Sequence, residues 1–258
     1  DFTLRIYKQL LSALKAGGYT FQPFAEYIEH PQERSIVLRH DVDAKKLNSL
    51  QFAKIQAEQN IRGTYYFRIA PQSFDKNIIK EIVALGHEIG YHYETMDTSK
   101  GNVDMAYDEF CRNLEMFRKI IPIKTICMHG SPLSKYDNKD LWKKYNYEDL
   151  GIIGEPYFDI DFTKVGYLTD TGRRWDGEKV SVRDKIQDTL IQNPKPNTLH
   201  LSYHNTKDII QAANNKLLPD QLMLTFHPQR WTNKPLPWVK ELIWQNMKNV
   251  IKRLIIKN

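Results

Sequence analysis

Short runs of β-favouring residues alternate with helical stretches along most of this 258-residue sequence. The runs are rich in Val, Ile, Tyr and Thr, whereas the segments between them carry apolar residues at helical spacing, as Ala44–Asn60 does. Strands separated by helices imply βαβ units and a mainly parallel sheet. The predicted strands are Ser35–Arg39, Thr64–Ile69, Glu88–Tyr91, Thr125–Met128, Leu150–Ile153, Val165–Thr169, Thr198–Tyr203 and Gln221–Phe226.

The alternation continues without a clear linker, repeat or low-complexity tract, so we predict one domain over 1–258. A helix over 1–17 ends at paired glycines, and a long helix over 238–256 follows two prolines near the end of the sequence. An α/β barrel reaches this size as a single unit. The pattern therefore predicts an α/β fold in one domain.

Composition narrows the class of protein. The net charge of +6 comes from 37 basic residues interspersed with 31 acidic ones, and no nucleic-acid-binding motif is present, so a nucleic-acid partner is not expected. The longest apolar runs are far shorter than the roughly 20 residues that span a bilayer. Cys111 and Cys127 lack paired spacing, which favours a reducing compartment and a cytoplasmic location, although a leader removed before Asp1 would leave the same sequence.

Polar or aromatic side chains follow five of the predicted strands at the point where each strand ends. Because the carboxyl ends of parallel barrel strands meet at one face, these side chains are expected to lie close together. They are Asp41 and Asp43, His92, His129, Asp170 with Trp175, and His227.

Asp41 and Asp43 lie two residues apart, so in a strand their carboxylates point to the same face. Two like charges at that distance disfavour joint ionisation unless a cation lies between them. A divalent metal would take one carboxylate as a ligand and leave the other as a base for an attacking water. The alternative is that Asp43 caps the helix predicted from Ala44.

The histidines divide by their position on the strands. His92 ends a strand and is placed as an imidazole ligand to zinc or another divalent ion. His227 is placed as a general acid, because imidazole titrates near neutral pH. For His129 a third metal ligand, a partner that orients Asp41 and a turn residue all remain open. His87 precedes its strand and is expected to be structural.

Four segments resemble the successive motifs of the polysaccharide deacetylases, the NodB-homology group of carbohydrate esterase family four. They are Arg39–Asp43 (RHDVD), Gly86–Glu94 (GHEIGYHYE), His129–Pro132 (HGSP) and Thr225–Trp231 (TFHPQRW), within about 35–231. The resemblance implies a distorted (β/α) barrel of about seven strands. It also implies a divalent metal, commonly zinc, and hydrolysis of an N-acetyl group on a sugar.

By position, the resemblance assigns Asp41 as the catalytic base, Asp43 and His92 as metal ligands, and His227 as the acid. The Asp170–Trp175 region resembles the motif that supplies an aromatic wall to the sugar pocket. The predicted substrate contacts are Asp170, Trp175, Ser131 and Trp231.

One position departs from the family pattern. The second metal histidine of the family lies four residues after the first, and that position is Met96 in this sequence. A thioether is a poor ligand for a borderline divalent ion. His129 is therefore the best candidate for the third ligand and Glu94 a weaker one; without either, the metal would be lost.

These observations predict a metal-dependent hydrolase that removes N-acetyl groups from a sugar or a cell-surface polysaccharide precursor. Asp41 would take the proton of the attacking water, and His227 would protonate the leaving nitrogen. Two alternatives stay open: a hydrolase of another acyl or C–N bond, and a non-catalytic glycan-binding or scaffold protein that keeps the fold.

Overall fold

The computed structural model describes residues 1–131, 134–176 and 201–257. Its strands form one seven-stranded, entirely parallel sheet in the order β5-β4-β3-β2-β7-β6, with β1 beside the first half of β2. The strands are β1 Thr20–Gln22, β2 Ser35–Val42, β3 Thr64–Phe67, β4 Glu88–Tyr93, β5 Ile126–Met128, β6 Gly166–Thr169 and β7 Gln221–Phe226. The predicted distorted (β/α) barrel of about seven strands is confirmed.

Helices follow most of the strands and cover the outside of the curled sheet. The α-helices are α1 Leu4–Ala16, α2 Phe24–Glu29, α3 Lys46–Ala57, α4 Lys76–Ala84, α5 Thr95–Thr98, α6 Val103–Arg118, α7 Pro156–Asp159, α8 Thr206–Asn214 and α9 Pro235–Lys257. Short 3-10 helices span Asn138–Lys143, Tyr147–Leu150 and Pro228–Arg230. Among the helices described, none combines the length and apolar composition that a bilayer crossing requires.

Strand β2 is the centre of the sheet and is buried along its whole length. It pairs with β7 on one side and with β1 and β3 on the other. Its alternation puts Ile36, Leu38 and Val42 into the main core, under the helices, while Val37 joins a smaller cluster of side chains from the other face. Arg39 and Asp41 have the same parity as Val37, which brings their charges to that inner face at the carboxyl end.

The terminal helices correspond to the two predicted ones. Helix α1 begins at Leu4, where the Thr3 hydroxyl accepts a hydrogen bond from the Ile6 backbone, and it ends before Gly17. Its buried face packs mainly against α8. Helix α9 begins at Pro235, three residues earlier than predicted, because proline fits the first helical turn.

The predicted elements and the structure differ in several places. Residues 150–153 form no strand: Leu150 ends a 3-10 helix, and a single bridge joins Thr125 to Gly154. Strand β1 was missed because three residues are too short to show alternation. Of the predicted strand Thr198–Tyr203, residues 201–203 have no strand structure, and the rest lies outside the described residues. Val182–Gln192, which also has the apolar spacing of a helix, lies outside them too.

Candidate metal and catalytic site

The carboxyl end of β2 supplies both aspartates of the predicted site. Asp41 is buried on the inner face, where Arg39 donates two hydrogen bonds to its carboxylate, from Nε at 2.8 Å and from Nη2 at 2.6 Å. Asp43 lies just beyond the strand and accepts a hydrogen bond from Gln229 on Oδ2. It does not cap α3, which begins at Lys46 after Lys45 in a left-handed conformation. The capping alternative is therefore excluded.

His92 projects from β4 toward the two aspartates. Its Nδ1 lies 2.8 Å from the Cys127 carbonyl oxygen, so Nδ1–H donates and the lone pair of Nε2 is left facing the site. Nε2 is 3.5 Å from Asp43 Oδ1 and 3.9 Å from Asp41 Oδ2. Gly90, two residues earlier, permits this arrangement, since a Cβ there would lie 2.3 Å from the Tyr66 ring.

His129 enters from the loop after β5. Its Nε2 lies 3.6 Å from Asp43 Oδ1, and its Nδ1 lies 3.2 Å from Glu94 Oε2. Arg68 holds Glu94 through three donor contacts of 2.6 to 3.1 Å. Nδ1 has no aligned hydrogen-bond partner among the described residues, so Glu94 supports His129 by its charge at 3.2 Å rather than by a hydrogen bond. A carboxylate behind one imidazole nitrogen, with the other nitrogen directed at a common point, is a common support for a metal-binding histidine.

These residues fit a divalent cation. Asp43 Oδ1 is buried and has no hydrogen-bond partner among the described residues. Candidate ligand atoms of Asp43, His92 and His129 all lie within 4.8 Å of one another. The separations of 3.5 and 3.6 Å from Oδ1 to the two imidazoles are close to the about 3.4 Å expected between ligands 2.0–2.1 Å from one tetrahedral ion. An orphaned carboxylate oxygen facing two imidazoles is a donor set that suits a divalent transition metal, zinc among them.

The charges at this centre agree with that interpretation. Burial by itself raises the pKa of Asp43, but the imidazoles of His92, His129 and His227 outweigh it and hold that pKa well below its usual value. Burial likewise opposes ionisation of Glu94, and His129 with Arg68 lowers its pKa to about 2. Both carboxylates are therefore ionised at neutral pH, as a metal ligand and its support must be.

Met96, at the position where the family has its second metal histidine, has a structural role in this protein. Met96 is buried in α5, and its backbone N–H donates to the side chain of Asn138. The amide of Asn138 in turn donates to the His129 carbonyl, so this turn supports the loop that carries His129. Glu94 backs His129 at Nδ1. Of the two replacements left open by the sequence, His129 is the one with a ring nitrogen facing Asp43, and its role as a ligand stays a prediction.

His227 approaches Asp43 from the other side, after β7. Its Nε2 lies 3.9 Å from Asp43 Oδ2, and its Nδ1 lies 2.6 Å from Asp170 Oδ1. Asp170 is fully buried and also accepts hydrogen bonds from Arg230 and from the Trp231 indole. A carboxylate can only accept, so the 2.6 Å contact with Asp170 places a proton on His227 Nδ1; Arg230 Nη1, 2.9 Å from that nitrogen, donates to Asp170 instead. Nε2 is the nitrogen that faces the site.

Burial raises the pKa of Asp170, but the charges of His227 and Arg230 dominate and lower it below its ordinary value. Asp170 is therefore an ionised group behind His227. Its complete burial means that it orients His227 and cannot contact a substrate in this structure. The contact of Asp170 with substrate stays a prediction, and its burial argues against it.

The two tryptophans predicted to contact a sugar are also buried. Trp175 is 2% exposed and Trp231 is fully buried, and both pack in the aromatic core with Phe2 and Phe226. A ring without exposed surface cannot stack on a sugar unless its neighbours move, so the structure does not place these rings against the site. Ser131 is partly exposed two residues after His129, and its contact with substrate stays a prediction.

Three residues that hold the site in place were not predicted from the sequence. Arg39, not His129, holds Asp41, and Arg68 holds Glu94. Gln229 contacts Asp43 and was not singled out. Only Arg39 has a sequence signal: it lies two residues before Asp41 on one strand, so the two side chains must share a face.

Comparisons with protein-family models and with curated proteins found no match. Among solved structures, a carbohydrate esterase family 4 (CE4) pseudoenzyme from Bacillus anthracis is 14% identical, over 86% of this chain and 63% of its own, with a TM-score of 0.43. A mutant of it with restored enzymatic activity gives the same identity and TM-score over 65% of its own chain. A Streptococcus mutans CE4 esterase is 13% identical over 92% of this chain and 90% of its own, with a TM-score of 0.45.

This chain resembles the CE4 structures as a divergent branch. The similarity agrees with the resemblance predicted from the four motifs. The chain spans just under two thirds of the length of the Bacillus anthracis pseudoenzyme. At 13–14% identity, the chemistry of this site has to be argued from its own residues.

Proposed function

We propose that this protein is a metal-dependent hydrolase that removes N-acetyl groups from a sugar. One observation carries the proposal: the orphaned Oδ1 of Asp43 faces two imidazoles, with a second, separately held carboxylate 3.9 Å from one of them. A divalent cation bound there would act as a Lewis acid on an acyl carbonyl. Asp43, His92 and His129 would hold it, and zinc suits this donor set.

Asp41 is the proton acceptor in this proposal. Arg39 takes both carboxylate oxygens in a bidentate pair, which fixes the orientation of Asp41 on the inner face. Arg39 is itself positioned by the Tyr157 hydroxyl at 3.2 Å and by the face of that ring. Asp41 Oδ2 thereby stays near His92 Nε2, where an attacking water would give up its proton.

His227 is the proton donor. Asp170 holds Nδ1–H and so leaves Nε2 facing the site. When Nε2 is protonated, the adjacent Asp170 stabilises the imidazolium, and Nε2–H can be passed to a leaving nitrogen. Asp41 Oδ2 lies 3.9 Å from His92 Nε2, and His227 Nε2 lies 3.9 Å from Asp43 Oδ2, so an acceptor and a donor both lie near the proposed ligands. Hydrolysis of an amide needs both a proton acceptor for the attacking water and a proton donor for the leaving nitrogen.

The test compares Asp41→Asn with the wild-type protein after loading with zinc. Metal content is measured by elemental analysis, and acetate release is measured on N-acetylglucosamine oligosaccharides and O-acetylated sugars. We expect about one equivalent of zinc in both proteins. Turnover should fall by about 10²- to 10⁴-fold in the variant, the usual effect of a general base.

Each other outcome rejects a different part of the proposal. Full activity in Asp41→Asn would reject the assignment of the base. Faster release from O-acetylated sugars would make the protein an esterase. Zinc binding without turnover on any acylated sugar would favour a non-catalytic glycan-binding protein, the alternative suggested by Met96 at the expected histidine position.

A further inference from the structure

Helix α9 has the reverse of the usual distribution of side chains. From Pro235 to Val250 its only buried positions are Glu241, Gln245 and Asn249, all of them polar. They are spaced by four residues and therefore form one face of the helix. A surface helix of a globular protein normally buries its apolar face and exposes its polar one. Burial of apolar surface against the barrel therefore does not explain how α9 is held.

Polar contacts attach α9 to the barrel instead. Glu241 accepts hydrogen bonds from Lys45 and Gln245 at 2.8 Å each. Asn249 donates to the Gly172 carbonyl at 2.8 Å, and Arg173 donates to the carbonyl of Trp238 at 3.0 Å. The buried face is thus hydrogen-bonded to loops that follow β2 and β6.

The outer face of α9 is apolar and exposed. Six large side chains are 46 to 84% exposed, and their spacing of three or four residues puts most of them opposite the buried polar face: Leu236, Val239, Ile243, Trp244, Met247 and Val250. A groove of about 870 Å³ is lined by Ile243, Trp244 and Met247, and also by Lys45. A contiguous apolar patch of this kind marks an interaction surface.

The charge of the helix discriminates between possible occupants of this face. Its sequence contains Lys240, Lys248, Lys252, Arg253 and Lys257 against the single acid Glu241, which Lys45 already pairs. Lys240 lines the apolar groove, and the Lys248 amine lies 5.0 Å from the centre of the Trp244 ring. A second copy of α9 would bring like charges together. An anionic lipid surface offers the opposite charge to the lysines and hydrocarbon to the apolar side chains.

The face also lies close to the candidate site. Lys45 is two residues from Asp43 and joins α9 to the loop after β7 through Glu241 and the Gln229 carbonyl. Gln229 in turn donates to Asp43. Helix α9 itself is therefore held beside the carboxyl ends of the strands, and a ligand of its outer face would lie across the helix from them.

We propose that the outer face of α9 binds the surface of a bilayer that contains anionic lipid. The helix lies in the interface, with its apolar side chains among the acyl chains and its lysines at the headgroups. The site then opens beside the bilayer surface, where the sugar of a lipid-linked precursor would be presented. The binding needs no metal and no turnover, so it is tested independently of the proposed hydrolysis.

The experiment is sedimentation of the purified full chain with vesicles of phosphatidylcholine alone and with added phosphatidylglycerol. We expect binding to the anionic vesicles that weakens at high salt, and at least tenfold weaker binding for the double variant Ile243→Glu/Met247→Glu. The matched control is Met105→Glu, because Met105 on α6 is exposed to a similar extent, 59% against 56 and 54%. Circular dichroism checks that each variant is folded.

Several outcomes would overturn the proposal. Absence of wild-type binding to anionic vesicles would do so, as would equal binding by the double variant or equal binding to neutral vesicles. Analytical ultracentrifugation without lipid tests for one further outcome that would overturn the proposal. A dimer that dissociates in Ile243→Glu/Met247→Glu would assign the face to a second copy of the chain.

Discussion

The metal half and the proton-transfer half of the candidate site differ in what holds their side chains. In the metal half, Asp43 Oδ1 lies 3.5 and 3.6 Å from the imidazoles of His92 and His129, without a hydrogen bond of its own. In the proton-transfer half, Asp41 and His227 are held by charged partners at 2.6 to 2.8 Å. The proposed proton-transfer groups are thus fixed by charged partners, whereas the proposed ligands leave Asp43 Oδ1 unpaired, as the binding of a cation would require.

The largest expected effect concerns the third ligand. His129→Ala removes an imidazole from the triangle and should weaken zinc binding far more than Glu94→Gln. The latter removes only the support behind His129, a change worth about 10- to 100-fold. Zinc affinity is measured by competition with a chromophoric chelator.

Met96→Leu is the matched control, because it preserves volume at the position where the family has a histidine. It should leave zinc affinity unchanged. An equal loss in Glu94→Gln and His129→Ala would make Glu94 a ligand rather than a support, and the division between the two halves would then need to be redrawn.

A smaller effect is expected in the proton-transfer half. Asp170→Asn keeps the shape of the side chain but removes the charge that supports a protonated His227. Turnover should fall by about 10²-fold, the lower end of the contribution of a general acid, while zinc content stays at that of the wild-type protein. Steady-state kinetics across a range of pH, with elemental analysis of the same samples, separates the two quantities.

Asp161→Asn, at an aspartate far more exposed than Asp170, should change neither turnover nor zinc content. Loss of zinc in Asp170→Asn would show that Asp170 acts on the whole site, and the two halves would not be independent. An unchanged pH profile with reduced turnover would leave Asp170 a structural role only.

The same contrast explains what the sequence could predict. The strands that carry Asp41, Asp43 and His92 have clear apolar patterns, and parallel strands bring their carboxyl ends together, so this part of the site followed from periodicity. The burial of Trp175 and Trp231 did not follow, because an aromatic residue after a strand serves a core and a sugar pocket equally well. The pattern predicted the approximate length of α9. It did not predict that the polar face of α9 is buried and the apolar face exposed, because this orientation depends on hydrogen bonds to loops distant in sequence.

Two further histidines face the core instead of the candidate site, and they serve as a reference for the histidines of that site. His40 bonds Tyr7, Gln56 and the Thr64 carbonyl, and burial lowers its pKa to about 3. His87 accepts from the Gly63 backbone and lies 3.0 Å from the Ala53 carbonyl, and burial lowers its pKa to about 4. Both are neutral in the folded protein at pH values where an unfolded histidine is already charged.

The smallest effect therefore concerns stability. Below pH 6.5 the unfolded chain takes up protons at these positions that the folded chain refuses, so the free energy of unfolding falls as the pH drops toward 4. Each histidine contributes up to about 1.4 kcal/mol per pH unit.

In His87→Gln this contribution is absent, so the stability advantage of the wild-type protein over the variant should shrink from pH 7 to pH 4.5. Denaturant unfolding with a chelator present measures that difference without interference from metal binding. His204→Gln is the control for loss of an imidazole at the surface, since the His204 side chain is 88% exposed. A wild-type advantage over His87→Gln that stays constant with pH would mean that His87 is charged in the folded protein, and it would no longer serve as the neutral reference for the histidines of the site.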